Sequence, residues 1–143
     1  MTSDPGVRPG YSVFDGTNSR VNDILVVDDD VLLRGMVAEW LSQAGYSVRE
    51  AAHGDAALAL LRRAPARLLI TDMQMPYLDG AEMLAVVSRE FPAMAVIAMS
   101  GHFDAGMGFT SDTAIHQGAR NVLTKPFGRD DLLRVVREAV GPA

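Results

Sequence analysis

The segment Ile-Leu-Val-Val-Asp-Asp-Asp at residues 24–30 is the most informative stretch of the chain, because it joins a short apolar run directly to a cluster of carboxylates. An apolar run of this length, rich in β-branched residues, is typical of a strand that is buried on both faces, as in a parallel sheet. The acidic residues follow at the point where that strand would end. The segment therefore predicts a buried strand that brings carboxylates to one edge of a sheet.

Further apolar runs alternate with segments of helical period. The runs that predict strands are residues 24–27, 46–48, 68–70, 95–97 and 121–123, of which 46–48 is the weakest. The first predicted helix has an apolar face formed by Leu33, Met36, Val37, Trp40 and Leu41. Other helices are predicted around residues 57–61, 83–91 and 132–139, with a short one at 111–117. Five strands alternating with five helices indicate the α/β class, a doubly wound sheet with right-handed crossovers.

The composition indicates one folded domain. The chain has 143 residues, of which 48% are apolar, so that it can bury a single hydrophobic core. Residues 1–22 are rich in Gly, Pro, Ser, Asp and Asn and show no sustained period. We therefore predict a flexible N-terminal extension at residues 1–22 and a folded domain at residues 23–143.

Charge and composition exclude several classes of function. The chain has no cysteine, which excludes disulfides, thiolate zinc sites and cysteine nucleophiles. Its formal net charge of −5 argues against direct binding of nucleic acid. No apolar run approaches the roughly 20 residues that a membrane-spanning helix needs, and the N-terminus lacks the pattern of a signal peptide. The expected location is the cytoplasm, without membrane insertion.

Polar residues follow the apolar runs where the strands would end. In a doubly wound sheet the ligand site lies at the carboxyl ends of the strands, near the switch point. The residues at those positions are Asp28, Asp29, Asp30, Asp72, Ser100 and Lys125. We expect Asp30 to cap the helix that follows it. The other residues should converge on one edge of the sheet.

This set of side chains has the chemistry of phosphoryl transfer. The carboxylates of Asp28, Asp29 and Asp72 cannot lie close together without a cation, because like charges repel one another. Mg²⁺ prefers oxygen ligands, and a carboxylate beside it can act as a nucleophile towards phosphorus. Lys125 can supply a cation to the phosphoryl oxygens and Ser100 a hydroxyl donor.

The same stretches resemble the receiver domain of two-component response regulators. The resemblance is carried by residues 24–30, by Ile-Thr-Asp-Met-Gln-Met-Pro at 70–76 with Asp79-Gly80, by Ser100, and by Thr-Lys-Pro-Phe at 124–127. It covers about residues 23 to 140. It implies a flavodoxin-like (βα)5 fold with a parallel sheet in the order 2-1-3-4-5.

The resemblance also implies specific roles for residues. Asp72 would accept a phosphoryl group from a sensor histidine kinase or a histidine phosphotransfer protein, with Ser100 as the switch hydroxyl and Lys125 as the phosphate-pairing lysine. The cofactor would be Mg²⁺, held by Asp28, Asp29, Asp72 and the backbone carbonyl of Gln74. The Lys125–Pro126 bond would be cis.

The output implied by the resemblance is a change in binding to other proteins, around the last strand and helix. The protein would not be an enzyme beyond its own phosphorylation and slow dephosphorylation. The sequence ends at Ala143, soon after the last predicted helix. We therefore expect a stand-alone receiver that signals through a protein partner, and the choice between a monomer and a homodimer stays open.

Two features depart from the usual receiver pattern. Val122 occupies a position where many receivers have Tyr or Phe, so that the usual aromatic swing cannot occur. The loop at residues 102–110 looks longer than usual and contains Gly106 and Gly108. We expect a mobile or rebuilt fourth helix there.

Two alternative functions stay open from the sequence. In a haloacid-dehalogenase-type phosphatase, Asp28 would be the nucleophile and Asp30 the acid/base. In a pseudo-receiver, the domain would bind partners without ever accepting phosphate. The position of the covalent phosphate, on Asp28 or on Asp72, distinguishes the first alternative from a receiver, and its absence indicates the second.

Overall fold

Five parallel strands form one sheet in this computed structural model, which describes residues 23–73, 80–101, 119 and 121–142. The strands are β1 (Asp23–Val27), β2 (Ser47–Ala51), β3 (Leu68–Asp72), β4 (Ala95–Ser100) and β5 (Asn121–Thr124). Their order across the sheet is β2-β1-β3-β4-β5. The predicted class, the parallel pairing and the strand order are therefore confirmed.

Four helices lie within the described residues: α1 (Val31–Gln43), α2 (Gly54–Arg63), α3 (Gly80–Glu90) and α4 (Arg129–Val140). Each matches a helix predicted from the apolar period. The short helix predicted at residues 111–117, the loop at 102–110 and the extension at 1–22 lie outside the described residues, and the predictions about them stay predictions. No helix in the described part of the chain combines the length and apolar character needed to cross a membrane.

The sheet separates two apolar clusters, because successive side chains of a strand point to opposite faces. Ile24 and Val26 of β1 belong to the cluster that includes side chains of α1 and α4. Leu25 and Val27 belong to the cluster that includes side chains of α2 and α3. All four β1 side chains are completely buried, and burying one such side chain stabilises the fold by about 1.5–3 kcal/mol. The central strands thus form a rigid frame for the residues at their ends.

Helix ends are specified by local hydrogen bonds. The Asp30 carboxylate accepts a hydrogen bond from the Leu33 backbone N–H at 3.1 Å, which confirms the predicted cap of α1. Gly45 ends this segment with a φ of 103°, a value that favours glycine. His53 caps α2, because its Nδ1 accepts a hydrogen bond from the Ala56 N–H at 3.2 Å.

The apolar face predicted for α1 was wrong at one position. Met36 is 42% exposed, whereas Ala38 is buried among the core side chains. Successive residues of a helix are about 100° apart, so Met36 lies at the margin of a face centred on Val37. With Val31 (65% exposed) and Leu32 (85% exposed), Met36 forms an exposed apolar patch on α1, the α1 patch.

A buried ion pair joins β1 to the edge strand β2 at the end of the sheet away from the carboxylates. The Arg49 guanidinium donates from Nε to Asp23 Oδ1 at 3.2 Å and from Nη2 to Asp23 Oδ2 at 2.7 Å. Both residues are less than 8% exposed. Two parallel bonds between planar groups fix the relative position of the two strands.

Loss of this pair should lower stability substantially. We expect Asp23→Asn to reduce the free energy of unfolding by about 3 kcal/mol, because the Arg49 charge would stay buried without its counterion. Urea unfolding measures the change. Glu90→Gln is a matched control, since it breaks the exposed Arg62–Glu90 pair, and solvent screening should make its effect much smaller. Equal effects of the two substitutions would contradict a stabilising role for the buried pair.

Candidate functional site

The carboxyl ends of four strands meet at one edge of the sheet and carry the polar residues singled out in the sequence. Asp28 directly follows β1, Asp72 is the last residue of β3, Ser100 is the last residue of β4, and Lys125 directly follows β5. Because the strands are parallel and adjacent in the order β1-β3-β4-β5, these residues lie at the same edge. The structure therefore places residues that are distant in sequence in one region.

Three carboxylates form an acidic cluster at this edge. Asp28, Asp29 and Asp72 each offer a carboxylate oxygen, and these atoms all lie within 4.8 Å of one another. Asp28 and Asp72 are buried, whereas Asp29 is exposed. In octahedral Mg²⁺ coordination, with bonds of 2.0–2.1 Å, opposite ligands are about 4.2 Å apart. Three carboxylate oxygens gathered within 4.8 Å are the type of donor that Mg²⁺ prefers, so the cluster could hold this ion.

Lys125 connects two members of the cluster. Its Nζ lies 3.3 Å from Asp28 Oδ2 and 3.4 Å from Asp72 Oδ2. One ammonium between two carboxylates reduces their mutual repulsion, and its attraction is strengthened by the burial of both partners. The backbone N–H of Lys125 donates to the Ser100 carbonyl at 3.0 Å, which attaches the lysine to the end of β4. The Lys125–Pro126 bond is cis, as the resemblance implied.

Asp28 is held through all of its polar groups. Its N–H donates to the Ala51 carbonyl at 3.2 Å, and its Oδ1 accepts from the Asp30 N–H at 2.9 Å. Its Oδ2 pairs with Lys125. Its backbone carbonyl accepts from Arg34 Nη1 at 2.9 Å. The position of this carboxylate is therefore determined by α1, β2 and the segment after β5 together.

Sequence reasoning missed Arg34 and its partner Glu50. Arg34 Nε donates to Glu50 Oε1 at 3.2 Å while Nη1 of the same guanidinium reaches the Asp28 carbonyl. Arg34 lies in the first turns of α1, where an arginine is most often solvated, and Glu50 lies on the edge strand β2. No local sequence signal distinguishes an arginine that folds back onto a strand end from one that extends into solvent.

The structure describes some of the other residues singled out in the sequence, but not all of them. Ser100 is completely buried. In the register of β3 and β4, Asp72 aligns with Met99, so Ser100 lies one residue further along β4. Gln74, the predicted carbonyl ligand, lies outside the described residues. Val122 is half-buried and packs against the apolar cluster of α2 and α3. The roles assigned to these residues stay predictions.

Comparison with known proteins assigns the family. The sequence pattern of the response regulator receiver domain matches residues 24–137. The chain therefore belongs to the response regulator receiver domain family, as its sequence resemblance indicated. Among curated relatives, the nitrogen assimilation regulatory protein NtrX of Azorhizobium caulinodans is 38% identical over 121 residues, which cover 83% of this chain and 26% of NtrX. The DNA-binding transcriptional regulator NtrC of Salmonella typhimurium is 32% identical over 117 residues, which cover 82% of this chain and 24% of NtrC.

Solved structures show the same fold. The receiver domain of NtrX from Brucella abortus aligns with a TM-score of 0.77 and 37% identity, covering 82% of this chain and 98% of that domain. The chemotaxis protein CheY4 of Vibrio cholerae aligns with a TM-score of 0.74 and 28% identity, covering 82% of this chain and 97% of CheY4. The chain thus spans about a quarter of the length of the curated relatives, but nearly all of these two structures.

Removal of one charge from the acidic cluster should stabilise the metal-free protein. We expect Asp29→Asn to raise the free energy of unfolding in EDTA by about 1 kcal/mol at low salt, because two carboxylates repel each other less than three do. The gain should shrink as ionic strength rises. Thermal and urea unfolding at two salt concentrations measure both effects.

The control for this prediction removes the same charge elsewhere. Asp130→Asn affects a completely exposed carboxylate in the first turn of α4, where a negative charge favours the helix. It should lower stability slightly. A destabilising effect of Asp29→Asn in EDTA would contradict the repulsion that we assign to the cluster.

Proposed function

We propose that this chain is a phosphorylation switch that accepts a phosphoryl group on Asp72 in a Mg²⁺-dependent reaction. The donor would be a sensor histidine kinase or a histidine phosphotransfer protein, and the signal would be a change in binding to another protein. The observation that carries this proposal is the acidic cluster at the carboxyl edge of the sheet, in which Lys125 contacts both Asp28 and Asp72. Membership in the receiver family supports it.

Each residue has a distinct part in the proposed reaction. An Asp72 carboxylate oxygen attacks the phosphorus of a phosphohistidine, the P–N bond breaks, and its electron pair returns to the imidazole nitrogen. Bound Mg²⁺ would neutralise charge on the phosphoryl oxygens, with Asp28, Asp29 and Asp72 as its protein ligands. Lys125, 3.4 Å from Asp72 Oδ2, pairs with a phosphoryl oxygen once Asp72 is modified. Ser100 would donate a hydrogen bond from its hydroxyl to another phosphoryl oxygen.

The surface that changes would lie along β5 and α4. A groove of about 410 Å³ runs between these elements, and its lining includes Thr124 and Pro126, on either side of Lys125. Movement of Lys125 towards a phosphoryl group on Asp72 would therefore shift the wall of this groove. Since Val122 has no ring to swing, the backbone around Lys125 is the connection that we propose between the phosphorylation site and the groove.

The geometry does not favour the phosphatase alternative. In that alternative Asp28 is the nucleophile and Asp30 the acid/base. The Asp28 carboxylate is completely buried, and both of its oxygens have partners within the chain. The Asp30 carboxylate caps α1. Asp72 as the acceptor leaves the Asp30 cap of α1 intact.

Intact-protein mass spectrometry tests the proposed acceptor. Incubation of the chain with acetyl phosphate and Mg²⁺ should produce one phosphate adduct of about 80 Da, because the small donor replaces the phosphohistidine. Asp72→Asn should abolish the adduct, and so should chelation of Mg²⁺. Asp30→Asn is the matched control, and it should keep the adduct.

Two other outcomes distinguish the alternatives. An adduct that survives in Asp72→Asn but is lost in Asp28→Asn would support the phosphatase alternative. No adduct on the wild type from acetyl phosphate or from any histidine-phosphorylated donor would support the pseudo-receiver.

The donor would dock on the α1 patch. A phosphohistidine must reach Asp72 from a protein seated beside the acidic cluster, and α1 starts directly after Asp30. The apolar side chains Val31, Leu32 and Met36 are the exposed large apolar side chains of the described ranges. Gly35, between them, leaves open space around its Cα, so that a partner helix could approach closely. An apolar helix surface of a donor protein suits this patch.

Substitution of the most exposed member should separate docking from chemistry. We expect Leu32→Ser to reduce the phosphotransfer rate from a histidine-phosphorylated kinase, identified by phosphotransfer profiling, roughly tenfold. Its phosphorylation by acetyl phosphate should stay within about twofold of wild type, since that small donor needs no docking surface. An equal loss with both donors would place the effect in the site itself and contradict docking on the patch.

A further inference from the structure

Arg34 connects three elements to the acidic cluster through one guanidinium group. It extends from α1, donates one hydrogen bond to the Glu50 carboxylate on β2, and donates another to the backbone carbonyl of Asp28, directly after β1. Its side chain is 17% exposed and that of Glu50 is 24% exposed, so that the pair is partly shielded from solvent. Because a guanidinium is planar and rigid, the bond to Glu50 also orients the N–H that points at Asp28.

We propose that Arg34, anchored by Glu50, is a positioning residue that sets the affinity of the acidic cluster for Mg²⁺. This inference rests on the proposed function, because it concerns how the same site holds its cation. Arg34 is not one of the carboxylates that would hold the cation, and it acts through its contact with Asp28.

The peptide group between Asp28 and Asp29 transmits the effect. A peptide unit is planar, so that a hydrogen bond to the Asp28 carbonyl fixes the orientation of the whole unit. That orientation constrains ψ of Asp28 and φ of Asp29, and so contributes to the directions in which the two side chains leave the backbone. The hydrogen bond from Arg34, at 2.9 Å, thus acts on two of the three carboxylates of the cluster, together with the contacts that Asp28 makes with Asp30, Lys125 and Ala51. Outer-shell contacts of this kind commonly tune metal affinity.

Charge and positioning predict opposite effects of removing Arg34. A positive charge near a cation site repels the cation, so that a role through charge alone predicts tighter Mg²⁺ binding when the charge is removed. A positioning role predicts weaker binding, because the carboxylates lose their alignment. The sign of the change in Mg²⁺ affinity therefore identifies the role.

Calorimetric titration of the full chain with Mg²⁺ alone makes the measurement. We expect Arg34→Gln to weaken Mg²⁺ binding roughly tenfold. Arg34→Lys should weaken it as well, because an ammonium keeps the charge but does not reproduce the rigid fork between Glu50 and the Asp28 carbonyl. With acetyl phosphate, both variants should need more Mg²⁺ for half-maximal phosphorylation, while the rate at saturating Mg²⁺ stays near that of wild type.

A matched variant controls for the loss of an arginine–glutamate pair. Arg62→Gln removes the bidentate pair with Glu90 between α2 and α3, which has the same chemistry but makes no contact with Asp28. It should leave Mg²⁺ affinity unchanged. Thermal unfolding of each variant separates loss of affinity from loss of fold. If Arg34→Gln does not fold, Arg34→Lys and Glu50→Gln replace it in the titration.

Specific results would overturn the inference. Unchanged or tighter Mg²⁺ binding by folded Arg34→Gln would show that Arg34 does not position the ligands. An equal loss of affinity in Arg62→Gln would show a general effect of stability. If the wild-type chain neither binds Mg²⁺ nor forms an Asp72 adduct, the proposed function itself is refuted. If the wild type does both and the Arg34 variants bind Mg²⁺ equally well, only the inference about Arg34 is refuted.

Discussion

Repulsion among three carboxylates at the edge of the sheet is the constraint on which the rest of the site depends. Asp28, Asp29 and Asp72 offer oxygens within 4.8 Å of one another, and two of the three residues are buried. Negative charges at such distances need a cation, and within the described chain Lys125 supplies one. A single ammonium does not neutralise three carboxylates, so the cluster keeps a net negative charge.

The parallel sheet holds the acidic residues close together despite their mutual repulsion. β1 and β3 are neighbours, and their side chains are buried in apolar clusters on both faces of the sheet. The apolar burial stabilises the strands up to the point where the acidic residues begin, so that the backbone cannot relax to separate the charges. The ion pair of Asp23 and Arg49 at the opposite end of β1 further restrains the strand against sliding.

The first turns of α1 combine three tasks. Asp30 caps the helix, Arg34 folds back onto the carbonyl of Asp28, and Leu32 faces solvent. Capping fixes where the helix begins, which in turn fixes where the Arg34 guanidinium and the exposed apolar side chains lie relative to the cluster. The acidic cluster and the α1 patch are therefore built from nearly consecutive residues, and the geometry of one depends on the other.

The sequence by itself determined the features that arise from local physics. Apolar period predicted the strands and the helices, Asp30 was recognisable as a cap, and parallel strands required Asp28, Asp72 and Lys125 to meet at one edge. Tertiary structure alone decided which side chains touch. Lys125 contacts Asp28 across 97 positions of sequence, Arg34 turns towards Glu50, and Met36 lies outside the core. The physical reason is that hydrophobic period and capping act between residues a few positions apart. The direction of a long charged side chain depends instead on strand register and on helix placement, which exist only after the chain has folded.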